Sequence, residues 1–129
     1  MTITLGEAKV LLRRVCEENP DSVNPQNYEG TCLYNRDPEG PDGAEHCIAG
    51  TAFIMLGIEP WRLEEETNAS ELGVALEVIS PDDVDVRLLF DKVQNIADGG
   101  MTYVSDNNPA HDPRPWGRVL ELAGGINLL

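Results

Sequence analysis

Glu45-His46-Cys47-Ile48-Ala49-Gly50-Thr51-Ala52-Phe53-Ile54-Met55-Leu56-Gly57 is the stretch on which the fold of this 129-residue chain turns. Just upstream, Asp42-Gly43-Ala44-Glu45 has the form of a capping box, with Asp42 as N-cap and Glu45 reaching back to it. The pattern predicts a helix over about 43–57, closed by Gly57 in the left-handed position that ends many helices. On a helical wheel Ala44, Cys47, Ile48, Thr51, Ala52, Met55 and Leu56 share one broad face, with His46 and Phe53 opposite. A helix apolar nearly all round is a buried one, and Ala49, Gly50 and Ala52 are small enough to admit neighbouring backbones.

Working outward, Thr4-Leu5-Gly6-Glu7 is a second capping box, followed by Leu5, Ala8, Leu11, Leu12, Val15 and Cys16 at helical spacing. A helix from Thr4 to Glu18 follows, ended by Asn19-Pro20 and then a loop from Asp21 to Asn27. Thr31-Cys32-Leu33-Tyr34 leads into the turn-rich Arg36–Gly43 segment and is compatible with a short β-hairpin near 31–35. Glu59-Pro60-Trp61-Arg62-Leu63 suits a short helix with Pro60 at its first position. Residues 68–79 fit either a helix or a strand. Ser80-Pro81-Asp82-Asp83 reads as a helix start, and the stripe Val86, Leu89, Phe90, Val93, Ile96, Ala97 carries that helix to Asp98 before Gly99-Gly100. Pro115 to Ala123 reads as a last short helix ended by Gly124-Gly125. The expected architecture is mainly α: a single domain, 1–129, built as a small helical bundle around the buried central helix.

Charge narrows the partners. Nine Lys and Arg stand against 23 Asp and Glu, a formal net charge of −14. Nucleic-acid phosphates and anionic membranes repel such a chain unless its cations cluster, and along the sequence they are scattered from Lys9 to Arg118. Three cysteines, Cys16, Cys32 and Cys47, an odd number, and an N-terminus without a basic and then apolar leader point to reduced thiols in a cytoplasm. No apolar run approaches the ~20 residues of a membrane span.

Chemistry-bearing groups are few. Cys32, His46, Cys47 and His111 are donors of the kinds zinc takes, but no C-x-x-C or H-x-x-x-H pair is present. On a helix, adjacent His46 and Cys47 point about 100° apart. The same angle separates Cys47 from His46 as nucleophile and base, and leaves His111 as the other candidate base. Cys16 falls on an apolar stripe and reads as an inert packed thiol. Glu64-Glu65-Glu66 reads as a solvated acidic face, and Gly99-Gly100 and Gly124-Gly125 follow helices, where they stop them and cradle no phosphate. Trp116, at the exit of the long Met101–Arg114 loop with Tyr103, is either a cap on the core or an anchor for a partner.

Cys32-Leu33-Tyr34, then a turn, then His46-Cys47-Ile48-Ala49-Gly50 and Leu56-Gly57 resembles a group of small uncharacterised proteins of actinobacteria and their phages, which share a C-x-Y … C-I-x-G … L-G pattern. Gln94, Asp98, Gly100 and Trp116-Gly117 resemble that group's later Q, D-x-G and W-G positions, with Met101–Pro115 as an insertion. The resemblance covers about half the chain by short motifs. It implies a common fold and a cytosolic setting, and brings no activity with it.

The reading that best unites these features is a small acidic interaction protein without cofactor or metal. It would be phage-encoded, acting in the host cytoplasm on a host protein, with mimicry of DNA charge as a secondary mode. Trp116, Tyr103, Glu64, Glu65 and Glu66 are its expected contact residues, nucleic acid and membrane are not expected partners, and a homodimer is compatible. The alternatives are a small hydrolase or thiol enzyme using Cys47 or Cys32 with His46 or His111, and a structural zinc domain.

Overall fold

Five helices make up the regular structure of the residues that the computed structural model describes, 2–24, 46–59, 62–63, 68–99, 114–125 and 128–129. They are α1 (Leu5–Glu18), α2 (Ile48–Met55), α3 (Ala69–Ala75), α4 (Val84–Ala97) and α5 (Trp116–Gly125). Among the described residues there is no strand, and the anticipated hairpin near 31–35 lies outside them. The mainly helical bundle is as expected. None of its helices is long and apolar enough to cross a membrane.

α1 starts as its capping box predicts. The Glu7 N–H donates to Thr4 Oγ1 at 3.2 Å and the Thr4 N–H to Glu7 Oε1 at 3.0 Å, an arrangement that contributes about 1 kcal/mol. The helix buries Ala8, Leu12, Val15 and Cys16, the inner part of the predicted stripe. α3 resolves the ambiguity of 68–79 in favour of a helix. Asn68 caps it by accepting the Glu71 N–H; the helix ends at Ala75, and after its C-cap Leu76 comes Glu77, whose φ of 62° takes the left-handed position usually held by glycine. The Arg62 N–H donates to Glu59 O at 3.0 Å, and Pro60 and Trp61 of the short helix expected there lie outside the described residues.

Two helix starts differ from expectation. α2 begins at Ile48 and not near Gly43, because Cys47 holds an extended backbone (φ −74°, ψ 174°) and is itself the N-cap. Residues 42–45, which suggested the earlier start, lie outside the described residues. α4 begins at Val84. Ser80 to Asp82 form a turn closed by the Asp83 N–H on Ser80 O (3.1 Å), and the Asp83 carboxylate accepts the Val86 N–H (3.1 Å). The acid three residues beyond the anticipated cap, Ser80, is the better acceptor at the positive helix end. The far end of α2 follows the sequence closely. Gly57, at φ 96°, donates to Ile54 O, and the Ile58 N–H reaches back to Phe53 O at 3.0 Å. These paired bonds define a Schellman motif.

α4 packs against each of the other four helices, and α1 packs against α2, α4 and α5. α2 buries Ile48, Ala49, Gly50, Ala52 and Phe53 against these two long helices. Phe53 stacks on Phe90 of α4 with ring centroids 5.4 Å apart and planes 16° from parallel, worth about 0.5–1.5 kcal/mol beyond the area it covers. The chain after α3 folds back on this pair. Ile79 presses its side chain where a Cβ on Gly73 would stand, and Phe53 Cζ lies 3.3 Å from that point. Gly73→Ala should therefore destabilise the chain by about 1–3 kcal/mol through overpacking. A thermal melt checks it, and an unchanged midpoint would show that Ile79 repacks without cost.

Candidate functional site

The loop after α1 supplies one buried amide on which three helix ends converge. Asn24 is 1% exposed. Its Oδ1 accepts the Ile48 N–H at 2.8 Å and the Trp116 indole Nε1–H at 3.0 Å, while its Nδ2 donates to Asp98 Oδ1 at 2.8 Å. Ile48 opens α2, Trp116 opens α5 and Asp98 closes α4.

The first N–H groups of a helix have no partner inside it. In α2 the N–H groups of the first three helical residues find acceptors from outside or from the cap: Ile48 from Asn24, Ala49 from Gln94 Oε1 at 3.2 Å, and Gly50 from Cys47 Sγ at 3.4 Å. The acceptors are two side-chain amides and a sulfur. At α5 the Trp116 N–H donates to Ser22 O (2.8 Å) and the Gly117 N–H to Pro20 O (2.9 Å). A Cβ on Gly117 would come within 3.2 Å of both Pro20 Cβ and Pro20 O, which explains a glycine at that approach. The negative end of α4 receives Arg114, 1% exposed, through Nη1 on Ile96 O (2.8 Å) and through its N–H on Ala97 O (2.9 Å).

The expected site residues are placed unevenly. His46 and Cys47 precede α2 and are not part of it, so the helical angle that was to hold them apart does not apply. Cys47 sits at the positive end of α2 and not a turn inside it. Its side chain is 0% exposed. His46 is half-buried. Trp116 belongs to the core: it is 3% exposed and its indole is bonded inward to Asn24, which removes it from the outer surface where an anchor would stand. Cys32, His111, Tyr103, Glu64, Glu65 and Glu66 lie outside the described residues. Among the described residues no group of three His, Cys, Asp or Glu could hold a metal ion.

Cys47, Gly50, Gln94, Asp98, Trp116 and Gly117, which carry much of the resemblance drawn from the sequence, all fall at this junction. Each has a structural task there: Cys47 as cap, Gln94 and Asp98 as acceptors, Gly50 and Trp116 as donors, and Gly117 as a close-approach position. Asn24, the residue that joins them, was missed. In the sequence it is one polar residue in a stretch of turn formers, and its only local signal, Asn24-Pro25, reads as a turn.

Cys16 is a different kind of thiol. Burial first, and the neighbouring Glu17 carboxylate second, push it from 9.0 up to about 12. Such a group stays neutral and unreactive at neutral pH.

No protein-family model, curated protein or solved structure matches this chain.

Asn24→Ala should lower the unfolding free energy by about 3 kcal/mol, because two buried donors lose their acceptor at about 1–3 kcal/mol each. Urea unfolding measures it, and a loss below about 1 kcal/mol would mean that other groups take over the three helix ends. The Cys16 shift gives a pH dependence of definite sign. The folded thiol titrates at about 12 and the unfolded one at 9.0, so its contribution is intact below pH 9.0 and is lost as pH rises toward 12. Compared by urea unfolding at a series of pH values, wild type and Cys16→Ala should draw closer in stability across that window, and parallel curves would contradict the assignment.

Proposed function

We propose that this chain is a non-catalytic interaction protein that engages a partner protein through its acidic surface. One observation carries the reading. A net charge of −14 is displayed over a core whose chemically versatile groups are committed to helix ends. Glu17, Asp21, Glu77 and Asp82 stand exposed on four separate parts of the chain, while Cys47, Asn24, Gln94 and Trp116 are buried and bonded. The long-range field of such a surface favours cationic partners and raises the rate of encounter with them. A surface that normally holds DNA is one such partner, and charge mimicry would then be the mode of action. The resemblance to proteins of actinobacteria and their phages supports a cytoplasmic host protein as the target.

A second reading, thiol chemistry, is favoured by the position of Cys47 at the start of α2 beside His46. Helix N-termini are where protein thiols are commonly activated. The full burial of Cys47 argues against access to it.

The two readings separate cleanly. The full chain immobilised and exposed to an actinobacterial lysate should retain a cationic protein at about 50 mM salt and release it by about 500 mM. In the native chain, Cys47 should react with a soluble thiol reagent no faster than free cysteine at neutral pH. Capture that is indifferent to salt would sink the electrostatic reading, and rapid labelling of Cys47 would move the function to the thiol.

A further inference from the structure

We draw no further inference here: the strongest candidate, the open hollow between α1 and α4 over Leu5, Leu88, Leu89 and Leu128, carries none because nothing in the structure shows what covers it.

Discussion

The side-chain amide of Asn24 is the constraint on which the arrangement of the other elements depends. It is one acceptor and one donor in a loop, yet it bonds the first residue of α2, the first residue of α5 and the cap of α4. A buried N–H without an acceptor costs more than most single apolar contacts contribute. The three helix ends are therefore tied to the position of this loop, and the carbonyls of Pro20 and Ser22 reinforce the tie at α5. α2 gains most. At eight residues it is too short to be stable alone in water, and its starting N–H groups are met by Asn24 from the loop and Gln94 from α4.

This use of polar groups separates the interior of the molecule from its exterior. The buried cluster holds side-chain amides against a positive helix end and a guanidinium against a negative one. It is chemically complete as a scaffold. The outer surface carries the excess of acid, with Glu17, Asp21, Glu77 and Asp82 exposed.

Much of the fold was legible in the sequence. Periodicity and caps gave α1 from Thr4, the buried stripe of α4 and the Gly57 stop of α2, because each depends on residues within a few positions of one another. What could not be read were the contributions from far along the chain. Asp42-Gly43-Ala44-Glu45 is a sound local start signal, but the cap of α2 is Cys47, with help from Asn24 and Gln94. Ser80-Pro81 likewise yielded to Asp83. At the candidate site the sequence marked Cys47 and Trp116 as notable residues. It left Cys47 as a packed core thiol or, second, a nucleophile, and Trp116 as a cap on the core or an anchor for a partner; both are bound into the same junction. The hollow shared by α1 and α4 was hidden for a related reason. Lys9 and Lys92 are distant in sequence and become neighbours only when α1 packs on α4.

The left-handed Glu77 just past the end of α3 has a consequence for how the chain leaves that helix. Its backbone N–H donates to Val74 O and the next N–H to Gly73 O, which turns the chain sharply enough for Val78 O to accept the Ile3 N–H at 2.9 Å. An L-residue holds that conformation only at a cost of about 1–2 kcal/mol, so the turn is maintained by its surroundings and not by its own preference. The segment before α1 is thereby pinned to the exit of α3. The hold on the amino-terminal segment thus depends in part on a backbone angle more than 70 residues further along the chain.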